Sequence, residues 1–189
     1  MERGEVYSLL TDFVKGENLL RHALAVEAAM RAYARKYGED EQSWGALGLI
    51  HDFDYEKYPD LNQHALKGSQ LLAERGWPEE LVRAVASHNA ATGVNRSSRM
   101  EKALYAVDEL TGFITAVALV RPSRSLDDLA AKSVKKKMKD RGFAAAVDRE
   151  QLQASAAELG EDFTEHVDFV IRAMRTIGPE LGFARLEKE

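Results

Sequence analysis

The stretch LLRHALAVEAAMRAYARKYG, residues 19–38, decides the fold class. Leu19, Ala23, Val26, Met30, Tyr33 and Tyr37 recur at steps of three and four, the spacing that gathers side chains on one face of an α-helix. Gly38 follows as a C-terminal stop, because glycine enters the left-handed conformation at which many helices end. His22 shares its face with Leu19, Val26 and Ala29, so it borders a core rather than solvent. Helical spacing of this kind recurs nearly throughout the chain, and no clear alternating strand segment is longer than four residues.

Working outward, Ser43 is placed to cap a short helix through Trp44, Leu47 and Ile50. Pro59 and Asp60 mark a loop before a helix from about Leu61 to Arg75, stopped by Gly76. Pro78, Glu79 and Glu80 give the next helix an acidic first turn. Ser98 with Glu101 is a capping box, opening a long helix to about Leu119 that Pro122 breaks. Ser125 with Asp128 starts a helix ending near Gly142, and Asp148 with Gln151 starts one ending near Gly160. The last helix runs from about Asp162 to Ile177 and buries Phe163, Val167, Val170, Ile171 and Met174. The fold class is all-α, with about nine helices on short connections in a single compact domain over residues 1–189.

Composition narrows the chemistry. Of 189 residues, 45% are apolar and 30% charged, as in a soluble globular protein. The absence of cysteine excludes disulfides, thiolate metal sites and thiol nucleophiles. A bound metal must therefore rest on imidazole and carboxylate, a set that suits Mn, Mg, Fe, Zn, Co or Ni. The first residues, Met1 to Glu5, lack a basic-then-apolar leader, so the expected location is cytoplasmic. The longest uncharged run, Leu110 to Val120, falls short of the roughly 20 apolar residues that span a bilayer. A net charge of −5 argues against a dedicated nucleic-acid binder, which needs a basic surface.

A lone histidine near an apolar helix face is usually structural, and His166, just before Val167, reads that way. The pair His51-Asp52 is different. It follows Leu47-Gly48-Leu49-Ile50 and sets two metal-ligand side chains at the end of a buried helix. Asp108, mid-helix between Val107 and Leu110, is costly in an apolar setting unless it is paired, hydrogen-bonded or metal-bound. An arginine partner and a metal ion both answer that cost.

The order His22, His51-Asp52, Asp108, each on a separate helix, resembles the signature of the HD superfamily of metal-dependent phosphohydrolases over roughly residues 17–120. The segment from Ile50 to His88 is closer still to the HD-phosphodiesterase subtype. In that subtype the pair is followed by a histidine opening a helix with a small residue four on, here His64 and Gly68, and then by a histidine ending the next helix, here His88. The subtype commonly reads His-Asp-Ile-Gly-Lys where this chain has His51-Asp52-Phe53-Asp54-Tyr55. Where it often has consecutive histidines, this chain has Ser87-His88-Asn89. Taken whole, the chain is most similar to a group of bacterial HD hydrolases.

The resemblance implies a metal-binding core at about 17–120 with helices over 125–178 packing on it. It implies one or two divalent ions held by His22, His51, Asp52, His64, His88 and Asp108, with Asp52 as a bridging carboxylate. The implied activity is hydrolysis of a phosphomonoester or phosphodiester of a nucleotide or similar small metabolite, and a homodimer is compatible with it. Asp54, Glu56 and Lys57 follow the pair on a loop expected at the pocket mouth, where Asp54 or Lys57 is a candidate acid or phosphate contact beside Asp52.

The run Lys132, Lys135, Lys136, Lys137, Lys139 and Arg141 closes a helix that opens with Asp127 and Asp128, as the macrodipole favours. It is also a candidate phosphate-binding face through Lys132, Lys135 and Lys136, with Arg149 beside them. Two other functions fit the same ligands: a di-iron oxygenase on the HD fold, and a non-enzymatic HD regulatory module. Intact ligand positions weigh against the second.

Overall fold

The apolar stripe that opens at Leu19 becomes α2 (Glu17–Tyr37) in the computed structural model, which describes residues 2–186. Gly38 closes α2 at φ 71°, and its N–H donates to Ala34 and Arg35 carbonyls, as the glycine stop requires. Among the described residues there are nine α-helices, one 3-10 turn (Ala90–Thr92) and no strand. The other helices are α1 (Arg3–Phe13), α3 (Glu41–Ile50), α4 (Leu66–Glu74), α5 (Glu79–His88), α6 (Arg99–Leu119), α7 (Ala131–Met138), α8 (Arg149–Leu159) and α9 (Phe163–Arg175).

The chain divides into two units, Met1–Leu104 and Tyr105–Glu189, and α6 runs across the division. In the first unit α3 lies along α2, touching α1 and α5 as well, while α4 pairs with α5. The core holds Val26, Met30 and Tyr33 of α2, Leu47, Leu49 and Ile50 of α3, Phe53, Leu72, Leu81 and Val85, none of them exposed. Glycine sets the α2–α3 distance. A Cβ at Gly48 would lie 2.9 Å from the Glu27 backbone and the Val26 carbonyl, closer than a methyl group can approach. Beside that contact, the buried Glu27 carboxylate accepts from Arg3 at 2.7 and 2.8 Å and from Arg31 at 2.9 Å. A buried carboxylate is tolerated because it is paired in this way.

In the second unit α9 packs on α7 and α8. Its core residues include Val134, Leu152, Val167, Val170, Ile171 and Met174. His166 Nε2 pairs with the Ala106 carbonyl at 3.0 Å, a structural task.

Some boundaries depart from the expected ones. Asp40, not Ser43, caps α3, its carboxylate accepting from the Gln42 and Ser43 N–H groups. The helix expected from Leu61 begins at Leu66, because residues 61–65 form turns ending at Ala65, whose φ is 63°. The helix expected from Ser125 to Gly142 is only Ala131–Met138. Arg175 claims the Leu126 and Leu129 carbonyls at 3.0 and 3.1 Å, and Ser125 Oγ donates to Ala184 O at 2.7 Å. The N–H of Ala131 is then capped by Asp168, at 2.7 Å, rather than by a residue of its own segment. The capping box of α6 stands as expected: Ser98 Oγ accepts from the Glu101 N–H at 3.2 Å, and the Glu101 carboxylate accepts from the Ser98 N–H at 2.8 Å.

Candidate metal centre

Helix α3 ends at Ile50 with His51 as its C-cap, and the turn that follows carries Asp52, so the pair leaves the core at one point of the backbone. His51 is fully buried, while Asp52 keeps 15% of its side chain accessible. The two oxygens of Asp52 face different partners. Oδ2 lies 3.5 Å from His51 Nε2 and 3.7 Å from His22 Nε2, which α2 supplies. Oδ1 lies 3.1 Å from His64 Nε2 and 3.1 Å from His88 Nε2. His64 and His88 Nε2 are themselves 3.2 Å apart. Each set offers ligand atoms within 4.8 Å of one another, close enough to share an ion.

Backbone and carboxylate partners orient these rings. His51 Nδ1 meets the Gly48 carbonyl at 2.8 Å, and His88 Nδ1 meets the Val85 carbonyl at 2.5 Å. His64 Nδ1 meets Asp54 Oδ1 at 2.9 Å. Carbonyls and carboxylates only accept, so each Nδ1 must carry the proton and donate it. When the rings are neutral, the Nε2 lone pairs of His51, His64 and His88 therefore all turn toward Asp52. Acceptors converging on a carboxylate at 3.1–3.5 Å repel one another unless positive charge lies among them. A divalent cation fits this donor set, which is the imidazole and carboxylate pattern of metal sites with oriented second partners.

The electrostatics agree. Burial disfavours the charged form of His64, yet hydrogen bonds to Asp52 and Asp54 raise its pKa to about 9. Burial likewise opposes ionisation of Asp52, but positive charge on His51 and hydrogen bonds from His64 and His88 hold its carboxyl well below the usual range. The pocket thus favours an anionic Asp52 and cationic company.

The structure gives Asp54 a different place from the expected pocket mouth. It is fully buried, and its Oδ2 accepts from the Ala65 N–H at 3.0 Å and the Gly68 N–H at 2.8 Å while Oδ1 holds His64. A buried carboxylate with its acceptor sites filled by the backbone is not available as an acid on a solvated loop. Lys57 is exposed and stacks its ammonium over the rings of Phe13, at 5.2 Å, and Tyr58, at 5.8 Å. Glu56 turns the other way and accepts from the Lys15 and Gly16 N–H groups at the start of α2.

In the second unit, Asp108 sits half-buried on α6, its carbonyl accepting from Thr111 Oγ1 at 2.8 Å. Lys132 and Lys136 are exposed on α7, whereas Lys135 Nζ donates to Thr164 Oγ1 at 2.7 Å. Arg149 does not stand free for phosphate. Its guanidinium donates to the carbonyls of Phe143, Ala144 and Val147, closing the loop before α8.

Two supporting residues carry roles that the sequence concealed. Asn89 follows His88, and its Nδ2 donates to the Leu61 carbonyl at 2.7 Å and the His64 carbonyl at 3.0 Å. It pins the 61–64 turn to the end of α5. Gly68 must lack a side chain, because a Cβ would lie 2.8 Å from the Asp54 carboxyl carbon. The spacing from His64 to Gly68 is thus a packing requirement of the carboxylate beneath them.

An all-helical unit with this histidine and aspartate cluster defines a candidate metal-binding helical protein. The sequence profile of the HD domain matches residues 19–112, and that segment belongs to the HD domain family. The chain is also 32% identical over 76 residues to Ribonuclease Y of Desulfotalea psychrophila (strain LSv54 / DSM 12343), a match that covers 40% of this chain but only 15% of that protein. No solved structure matches the chain. No helix among the described residues is long and apolar enough to cross a membrane.

Proposed function

We propose that the protein is a metal-dependent phosphohydrolase, cleaving a phosphomonoester or phosphodiester of a nucleotide or similar small metabolite. The observation that carries this reading is the division of Asp52, with one oxygen toward His22 and His51 and the other toward His64 and His88. In this reading Asp52, His22 and His51, with Asp108 as fourth ligand on the order of the HD signature, hold one ion, and Asp52, His64 and His88 hold a second. Divalent ions held there would lower the pKa of a water from 15.7 toward about 7 and offset charge on phosphoryl oxygens.

The protein's own residues do the rest. Asp52 is kept ionised and shared between the two sets, and the backbone carbonyls of Gly48 and Val85 fix the rings of His51 and His88. Burial of His51, His64 and His88 keeps bulk water from competing for their nitrogens. Ribonuclease Y is by its name an RNA-cleaving enzyme, and the likeness supports phosphoester chemistry in general. A net charge of −5 places small phosphoesters ahead of RNA as substrates.

The test is a panel of phosphorylated metabolites, with a short oligoribonucleotide included, assayed with Mn, Mg, Co, Ni and Zn beside Asp52→Ala. Divalent-dependent phosphate release that disappears in the variant is expected. Turnover surviving Asp52→Ala would refute the mechanism. A coupled iron pair with oxygen-dependent activity after anaerobic purification would replace hydrolysis by oxygenation.

A further inference from the structure

Of the imidazoles whose Nδ1 partners are described above, His64 alone is backed by a carboxylate, while His51 and His88 are backed by carbonyls. Asp54 cannot turn away from it. Its second oxygen is held by the Ala65 and Gly68 N–H groups, and Gly68 leaves no room for a side chain beside it. The backbone at Ala65 takes a positive φ of 63°, a conformation that costs an L-residue on the order of 1 kcal/mol or more. That strained residue directs its N–H at Asp54 at 3.0 Å.

We infer that Asp54 is a positioning residue that fixes the tautomer of His64 and thereby sets the metal affinity of the His64–His88 side of Asp52, separately from the His22–His51 side. This rests on the two-ion reading above. Its physical basis is that both His64 nitrogens face carboxylates, Asp54 Oδ1 at 2.9 Å from Nδ1 and Asp52 Oδ1 at 3.1 Å from Nε2. The closer, backbone-held Asp54 keeps the proton on Nδ1, so that a cation beside Asp52 meets the Nε2 lone pair. Outer partners of metal-bound histidines of this kind are worth about 10–100-fold in affinity.

Asp54→Asn separates this role from a packing role. The amide is nearly isosteric, and its oxygen can keep the Ala65 and Gly68 bonds. Its NH2 group then faces His64 Nδ1 as a donor, which moves the ring proton to Nε2 and aims it at Asp52 Oδ1. In the metal-free full-length protein, at a pH where the imidazole is neutral, long-range proton–nitrogen NMR should find His64 protonated on Nδ1 in the wild type and on Nε2 in Asp54→Asn. Calorimetric titration with Mn(II) should find two bound ions in the wild type, with one weakened by about 10–100-fold in Asp54→Asn and the other unchanged.

A variant that keeps the Nδ1 proton and both affinities overturns the inference. If the variant does not fold, the wild-type spectrum decides, because a His64 proton on Nε2 there also overturns it. A wild type that binds fewer than two Mn(II) ions refutes the two-ion reading itself, an outcome distinct from an unaltered Asp54→Asn.

Discussion

The two sides of Asp52 are built from the same residue types and differ in almost everything that surrounds them. On the Oδ2 side the nitrogens stand off at 3.5 and 3.7 Å, and His22 retains 21% of its side-chain exposure. On the Oδ1 side both nitrogens close to 3.1 Å, with His64 and His88 only 6% and 4% exposed. The first side is assembled from two consecutive helices, α2 and α3, packed closely at Gly48. The second is assembled from a strained turn braced by Asp54 and Asn89. One side depends on helix packing and the other on a local hydrogen-bond network, so different substitutions should damage each.

The largest effect should come from the residue they share. Asp52→Ala is expected to abolish binding on both sides and return phosphoester hydrolysis to background, with the fold intact by circular dichroism. Metal analysis that still finds two ions would break the comparison at its centre. Next, His88→Ala should reduce the Mn(II) stoichiometry from two to one, since it removes a ligand from the Oδ1 side alone; loss of both ions would mean that the sides are not separable.

The glycines sharpen the contrast. Gly48→Ala forces a methyl group within 2.9 Å of the Glu27 backbone, which should cost about 1–3 kcal/mol of global stability, read as a lowered denaturation midpoint. Gly68→Ala presses on the Asp54 carboxylate at 2.8 Å instead, and should weaken one Mn(II) ion by about tenfold. Equal effects of both substitutions on both ions would erase the distinction.

The smallest effect should come from Glu101→Gln, a control that touches neither side. Burial opposes the Glu101 charge, but the Ser97 and Ser98 N–H groups and Arg83 hold its carboxyl below the ordinary value of 4.5. A folded-state pKa below the unfolded one contributes stability at higher pH, which is lost as pH falls through the lowered value. The variant should therefore be less stable than the wild type near neutral pH and show a flatter fall in melting temperature below pH 4.5. Its Mn(II) stoichiometry should not change.

The lysine-rich helix illustrates the limit of reading charge from a sequence. The run from Lys132 to Arg141 stands out in an acidic chain, yet α7 ends at Met138, Lys135 is bonded to Thr164, and Lys137 lies over the Phe143 ring at 4.8 Å. Arg149, which looked like an anion contact, closes a loop through backbone carbonyls. Long cationic side chains find local partners that only folded proximity reveals.

The sequence by itself determined the all-helical class, because the spacing of Leu19, Val26, Met30 and Tyr33 admits no other regular structure, and Gly38 and the Ser98–Glu101 box mark their ends with local chemistry. It also supplied the histidines and Asp52 as ligand types. What only tertiary structure decided is how they divide: which Asp52 oxygen each imidazole faces, and which nitrogen keeps its proton. Those depend on which acceptor the folded backbone brings to each Nδ1, a carbonyl one helical turn back for His51 and His88 but Asp54 for His64, whose turn Asn89 pins in place. Residue identity fixes what a side chain can donate or accept, but the partner that uses that capacity is chosen by the folded backbone.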